Sequence, residues 1–174
     1  MKVPKRLKDP SNLRASSHPN DRVRIFFKLQ QDEDGYPPAV TESLWAISLG
    51  EGRFRLENTP FFVTGVSHSD VVRAHRGDDR RLWFDELAEA SGHSTVRVVI
   101  CENSPDTRPI KKRMQALQES VARLGCSFES SHLPNLVSID IPPDVPLGPL
   151  TALLEAGHQG ELWDYEEAAI AHTQ

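Results

Sequence analysis

The stretch TVRVVICENSPDTRPIKKRMQALQESVARLGCSFES (residues 95–130) decides the fold of the second half of the chain. Its first six residues, 95–100, are mostly β-branched and predict a short strand. Apolar side chains then recur at helical spacing, namely Ile110, Met114, Leu117, Val121 and Leu124. Gly125 follows at the position of a C-terminal helix cap, and residues 127–130 predict another strand. The stretch therefore predicts a strand, a helix and a strand in that order.

The chain beyond residue 130 continues this pattern. Residues 135–141 (NLVSIDI) predict a third strand, and residues 161–168 (ELWDYEEA) predict a fourth. Between them, residues 146–157 place four leucines at helical spacing. The resulting order β-α-β-β-α-β is that of a ferredoxin-like fold. We therefore expect a ferredoxin-like α+β unit over residues 95–170.

The first half of the chain, residues 21–94, alternates apolar and polar side chains with almost no helical period. The predicted strands cover residues 22–30, 42–49, 53–56, 60–66, 70–75 and 81–87. Gly50-Glu51-Gly52 connects the second and third of these as a hairpin. Short strands at this spacing predict a small twisted or barrel-like β-sheet, so the expected fold class is α+β. SGHS (91–94) is the expected joint between the two units.

Residues 1–20 form a basic arm with five Lys or Arg residues, one Asp and three prolines. This composition, without periodicity, predicts disorder. No apolar run in the 174-residue chain approaches the roughly 20 residues of a membrane-spanning helix. The N-terminus also lacks the apolar core of a secretory signal. We expect a cytoplasmic protein that does not associate with membranes.

The last third of the chain is acidic, because residues 124–174 hold eight carboxylates and no Lys or Arg. Such a segment repels phosphate and attracts a basic partner. Two of the predicted strands of the ferredoxin-like unit, residues 95–100 and 135–141, carry no aromatic side chain on which a base could stack. The sequence therefore predicts that this protein does not bind nucleic acid.

No catalytic or cofactor motif is evident. Ser67 or Ser69 with His68 or His75 and Asp70 could be written as a nucleophile, base and acid, but no G-x-S-x-G elbow surrounds them. Ser and Asp at such a corner are typical of turns. The seven histidines show no metal-ligand spacing, and no glycine-rich phosphate loop occurs. We expect no enzyme activity, no cofactor and no metal.

The sequence resembles a bacterial family known only as a domain of unknown function. The resemblance rests on an E-x-LWA strand, an L-x-N-x-PFF segment, an S-x-x-D-VV corner and an SGHST joint, and spans about residues 22–168. The matching positions are Glu42, Leu44, Trp45, Ala46, Leu56, Asn58, Pro60, Phe61, Phe62, Ser67, Asp70, Val71, Val72, Gly92, His93 and Ser94. It implies a small cytoplasmic bacterial protein and brings no assigned activity, cofactor or catalytic residue.

The resemblance also favours one interpretation of the Ser67–Asp70 corner. Asp70 belongs to the pattern, whereas His68 lies at a position that the pattern leaves free. We therefore expect Asp70 to cap backbone donors at a structural corner. His93 is the better candidate for any histidine site, at the junction of the two units.

The expected function is non-catalytic protein binding by an immunity-type protein that neutralises a basic toxin domain through its acidic surface. The expected partner-binding residues are Glu155, Glu161, Trp163, Asp164, Tyr165, Glu166 and Glu167. The alternative is a small-molecule sensor, or an enzyme, with a pocket between the two units. That pocket would use Glu42, His68, Asp70 and His93.

Overall fold

The structure is a computed structural model that describes residues 18–172. Of the predicted basic arm, residues 1–17 lie outside the described residues, so the prediction of disorder there is not addressed. The described chain forms a five-stranded barrel followed by a four-stranded sheet with two helices. The predicted α+β fold class is thereby confirmed.

The barrel is built from the alternating strands of the first half of the chain. Its strands are β1 (Arg22–Lys28), β2 (Thr41–Gly50), β3 (Arg53–Leu56), β4 (Val71–Arg76) and β5 (Leu82–Glu89). Consecutive strands pair antiparallel, and a parallel pairing of β1 with β5 closes the barrel. The apolar side chains of each strand, such as Ile25, Leu44 and Phe54, fill its interior.

The second half forms the ferredoxin-like unit that the sequence predicts. Its elements are β6 (Ser94–Ile100), α1 (Ile110–Arg123), β7 (Ser127–Ser130), β8 (Leu136–Ile141), α2 (Leu147–Gln159) and β9 (Trp163–Ala169). The strands lie in the order β7-β8-β6-β9, and all neighbours are antiparallel. Among residues 18–172, no helix is long and apolar enough to cross a membrane.

The two faces of this sheet differ in character. On one face, Val96, Val98 and Ile139 pack with α1 and α2 in an apolar core. The side chains that alternate with them on β6 and β8 are mostly polar, yet Thr95, Arg97, Ser138 and Asp140 are also buried. The strands β6 and β8 are therefore buried on both faces, and their polar face lies against the barrel.

The strand predicted over residues 60–66 is wrong. These residues belong to the loop between β3 and β4, residues 57–70, which we call the 57–70 loop. Val63 and Val66 are buried because the loop packs onto the barrel core, so their burial does not come from strand pairing. The apolar run predicted burial correctly but could not show how its backbone hydrogen bonds are satisfied.

Candidate functional site

The 57–70 loop lies between the barrel and the polar face of the sheet. Side chains from the sheet bind it along its length: Glu129 accepts from both the backbone and the hydroxyl of Thr59, and the Ser138 hydroxyl donates to the Pro60 carbonyl at 2.8 Å. Further along, the Thr95 hydroxyl donates to Ser67 Oγ at 2.9 Å. The buried hydroxyl groups of Thr95 and Ser138 thus have the loop as their partner, which joins the two units.

Glu42 of β2 holds the centre of this loop. Its two carboxylate oxygens accept hydrogen bonds from the backbone N–H groups of Phe61, Phe62 and Val63, at 2.7, 2.9 and 2.8 Å. A carboxylate that accepts several N–H bonds replaces the backbone partners that a strand would have supplied. Glu42 therefore sets the position of Phe62 and of the Val63 carbonyl.

Arg97 of β6 lies directly behind the loop. Its side chain is 4% exposed, and it pairs with the half-exposed carboxylate of Glu166 at 3.3 Å and donates to the Val63 carbonyl. Its Nε is buried without a hydrogen-bond partner in the described part of the chain. Burial lowers the pKa of Arg97, and Glu166 and Glu42 oppose this change. Arg97 is thus a buried cation with unused hydrogen-bonding capacity.

A cleft of about 480 Å³ opens beside Arg97, and we call it the Arg97 cleft. Its lining comprises Phe27, Lys28, Leu29, Gln30, Asp32, Tyr36, Pro37, Phe62, Val63, Thr64, Phe84, Arg97 and Glu166. Four aromatic rings contribute to its walls, with Phe27 stacked on Phe84 at 4.8 Å between centroids and Tyr36 edge-on to Phe62 at 6.2 Å. Burial raises the pKa of Tyr36, and Arg97 opposes that rise.

A second polar group lies at the other end of the loop. Nδ1 of His93 is 2.7 Å from Oδ1 of the buried Asp140, and the His68 and His93 rings are 5.1 Å apart between centroids. One ligand atom from each of these three residues lies within 4.8 Å of the others. We call His68, His93 and Asp140 the junction cluster, because it joins the 57–70 loop to the start of β6 and to β8.

A family model described as "Domain of unknown function (DUF4265)" matches residues 42–165. The chain belongs to this family. A crystal structure described as that of a hypothetical protein from Neisseria gonorrhoeae has 20% sequence identity to the chain and a TM-score of 0.70. The match covers 90% of this chain and 100% of that chain, and at this identity it shows the fold alone. No curated protein matches the chain.

Of the pocket residues predicted for this DUF4265 protein, His68 and His93 lie together. Asp70 supports the same corner, because it accepts hydrogen bonds from the backbone N–H groups of Ser67 and Ser91 at 2.8 and 2.7 Å. Its predicted role as a cap is confirmed. Glu42 lies apart from them, behind the centre of the loop, and its carboxylate is occupied by the three N–H groups.

Sequence reasoning missed Arg97, Tyr36 and Asp140. Arg97 and Asp140 occupy alternate positions of strands, where a polar residue is typical of a solvent-facing side chain. Tyr36 lies in a connection between strands that carried no motif. The only sequence signal for the junction of the two units was the joint Gly92-His93-Ser94, which belongs to the pattern that the chain shares with the family.

The predicted partner-binding residues lie on β9, just before it and on α2. Glu155, Glu161, Asp164, Glu166 and Glu167 are all exposed. Trp163 is half-buried and donates from Nε1 to the Leu154 carbonyl, and Tyr165 donates to Glu155. Hydrogen bonds from Gln159 and Tyr165 lower the pKa of Glu155. β9 is an edge strand, and the register pairs Asp164 and Glu166 with Val99 and Arg97 on its barrel side.

Proposed function

We propose that this protein binds a small molecule with a carboxylate group and an apolar body in the Arg97 cleft, as a sensor-type protein. The observation that carries the proposal is Arg97, a buried cation in the wall of the cleft that pairs with a half-exposed carboxylate and whose Nε has no partner among residues 18–172. A buried guanidinium is costly unless its N–H groups are paired. The carboxylate that pairs with it, Glu166, is 51% exposed at the edge of the sheet.

A carboxylate ligand would take the place of Glu166 and pair with the terminal N–H groups of Arg97, since Nε itself has no surface open to the cleft. Guanidinium binds carboxylate through two parallel N–H bonds, which one exposed glutamate at 3.3 Å does not supply. Because Glu166 is half-exposed, it can turn into water when a ligand takes its place. The ligand anion would then face both Arg97 and the nearby Lys28.

The walls of the cleft support an apolar or aromatic body for the ligand. Phe62, Phe84 and Tyr36 line it, and aromatic rings pack favourably at the offset and edge-on distances seen here. A volume of about 480 Å³ lies within the range of small-molecule sites. Glu42 keeps this wall in place through Phe62 and Val63.

The test is thermal unfolding with phenylacetate and with phenylacetamide, two probes of the same shape that differ in charge. We expect phenylacetate to raise the Tm of the wild type by roughly 5–10 °C at about a hundred times its Kd. Phenylacetamide should have little effect, because a neutral amide does not pair with the guanidinium. Arg97→Met should abolish the response to phenylacetate.

The matched control is Arg113→Met, which removes a second buried arginine, one that binds the carbonyls of Arg108 and Cys101 away from the cleft. Both variants will lose some stability, but only Arg97→Met should lose the ligand response. Arg97→Lys keeps the charge and should keep a weakened response. Equal shifts with both probes, or a phenylacetate response in Arg97→Met equal to that of the wild type, would contradict the proposal.

A second candidate function is immunity-type binding of a basic protein. Support comes from the five exposed carboxylates Glu155, Glu161, Asp164, Glu166 and Glu167, in a part of the chain that carries no Lys or Arg. Asp164 and Glu166 lie on the barrel side of β9, whereas Glu167 lies with Glu155 on the helix side. Negative charge on both sides of this edge strand accelerates association with a basic partner such as a toxin domain. Trp163 and Tyr165 would contribute only their exposed edges, since their polar atoms already have partners.

Charge reversal tests this second candidate. We expect wild-type protein to capture a basic protein from native lysate at low salt and to release it at high salt. The double variant Asp164→Lys and Glu167→Lys should lose that protein. The control Asp78→Lys and Glu102→Lys changes two other exposed carboxylates, outside residues 124–174, and should retain it. Identical capture by all three proteins would contradict this function.

A further inference from the structure

The junction cluster brings together two imidazoles and a carboxylate from three separate parts of the chain. His68 lies in the 57–70 loop, His93 just before β6, and Asp140 near the end of β8. Their ligand atoms lie within 4.8 Å of one another, although 47 residues separate His93 from Asp140. The carboxylate ligand proposed for the Arg97 cleft does not use these side chains. The basic protein proposed for the exposed carboxylates does not use them either.

We propose that His68, His93 and Asp140 bind a divalent transition-metal ion, of which Zn²⁺ suits the donor set best. Zinc is bound by imidazole nitrogen and carboxylate oxygen at about 2.0–2.2 Å, and sites with two His and one carboxylate leave a fourth position for water. Softer ions prefer thiolate, while Mg²⁺ and Ca²⁺ prefer oxygen alone. Nitrogen donors in the majority therefore favour a transition metal, and zinc is the one for which three protein ligands and a water complete the usual tetrahedral geometry.

The geometry requires movements of at most about 1.5 Å between the ligand atoms. Ligand atoms around a tetrahedral zinc are about 3.3 Å apart, as follows from bonds of about 2.05 Å. His93 Nδ1 and Asp140 Oδ1, at 2.7 Å, would move apart by about half an ångström, and His68 would close in. The neutral His93 ring can carry its single proton on Nε2 instead, so that Nδ1 becomes a ligand.

Neighbouring hydroxyl groups orient the proposed ligands. Ser69 Oγ lies 3.0 Å from His68 Nδ1, and the Ser127 hydroxyl donates to Asp140 Oδ2 at 3.3 Å. Such outer hydrogen bonds set the orientation of metal-ligating rings and carboxylates. The backbone of the corner is also held, because Ser91 donates from its hydroxyl to the His68 carbonyl and from its N–H to Asp70.

A bound ion would connect the barrel to the sheet. His68 belongs to the loop that packs on the barrel, whereas Asp140 lies in the centre of the ferredoxin-like sheet, on a strand flanked by β7 and β6. Zinc at this point would restrict relative movement of the two units, and it would stabilise the folded chain by mass action.

The experiment uses the untagged full chain, treated with a chelator and titrated with ZnCl₂ by calorimetry. We expect one site, and a rise in Tm that follows its occupancy. His68→Gln and His93→Gln should each weaken zinc binding at least about 100-fold. His68→Gln serves as the variant that folds, since the His68 side chain is half-buried and its contacts are with Ser69 and the His93 ring.

The matched control is His75→Gln. Nδ1 of His75 lies 2.5 Å from Asp85 on the surface of the barrel, so it repeats the His–Asp pair without the second histidine. This variant should bind zinc as the wild type does. Co²⁺ loaded in place of zinc should show no thiolate absorption band, which excludes Cys101 and the buried Cys126, the cysteine nearer to Asp140, as ligands. The proposal is overturned if the wild type shows no saturable site, or if His75→Gln and His68→Gln lose zinc equally.

Discussion

Gly157→Ala is expected to destabilise the protein by about 3 kcal/mol, because the new methyl group would overlap the Trp163 ring. A Cβ at Gly157 would lie 1.9 Å from Cζ2 and 2.1 Å from Cε2 of Trp163. The ring cannot easily turn away, since its Nε1 donates to the Leu154 carbonyl at 3.0 Å. In a helix without such a neighbour, the same substitution normally stabilises slightly. Urea unfolding measures the difference.

The same helix offers the control. Apart from the backbone of α2 itself and the adjacent residues, no described atom lies within 4 Å of the position that a methyl group on Gly148 would take. The adjacent Pro149 disfavours helical backbone at a preceding residue that carries a Cβ, so Gly148→Ala should change stability by no more than about 1 kcal/mol in either direction. Combining Gly157→Ala with Trp163→Leu should recover part of the loss, since the smaller side chain leaves room. Equal stability of Gly157→Ala and Gly148→Ala would show that Trp163 does not pack on Gly157.

Glu42→Gln is expected to cost about 3 kcal/mol of unfolding free energy, because three backbone N–H groups share its carboxylate. The amide retains one oxygen, and its NH₂ group would face N–H donors that it cannot satisfy. Amide hydrogen exchange of Phe61, Phe62 and Val63 should accelerate in parallel. Since Phe62 and Val63 line the Arg97 cleft, the response to phenylacetate should also fall.

Glu86→Gln is the matched control for this substitution. Glu86 lies on β5, is 66% exposed and pairs with Arg73 at 3.3 Å, so its loss should change stability by less than about 0.5 kcal/mol. If Glu42→Gln proved as mild as Glu86→Gln, the carboxylate would not be the element that holds the 57–70 loop.

Much of the fold followed from periodicity. The alternation of Val23, Ile25 and Phe27 predicted β1, and the helical spacing of Leu117 and Val121 predicted α1, because each pattern records which face of a local element is buried. The same reasoning failed for residues 60–66. There, apolar side chains are buried by a loop whose N–H groups bond to Glu42, a residue about twenty positions away.

The candidate sites were less accessible to sequence reasoning. His93 and Asp70 were singled out through the joint and the corner that resemble the family pattern. Arg97 and Asp140 were not, because a polar residue at alternate strand positions predicts a side chain in water. In the folded protein that face of the sheet meets the 57–70 loop instead.

Apart from the strand wrongly predicted over residues 60–66, the sequence by itself determined the order of strands and helices and the division into a β unit and a ferredoxin-like unit. Both depend on a pattern of buried side chains that repeats every two or every three to four residues. Only the tertiary structure decided that Arg97 meets Val63 and that His93 meets Asp140, across 34 and 47 residues. The physical reason lies in the two-residue alternation of side chains along a strand. A polar side chain that faces water and one that faces another polar surface produce the same alternation in the sequence. Docking of the barrel on the sheet distinguishes them, and it creates both the cleft and the junction cluster.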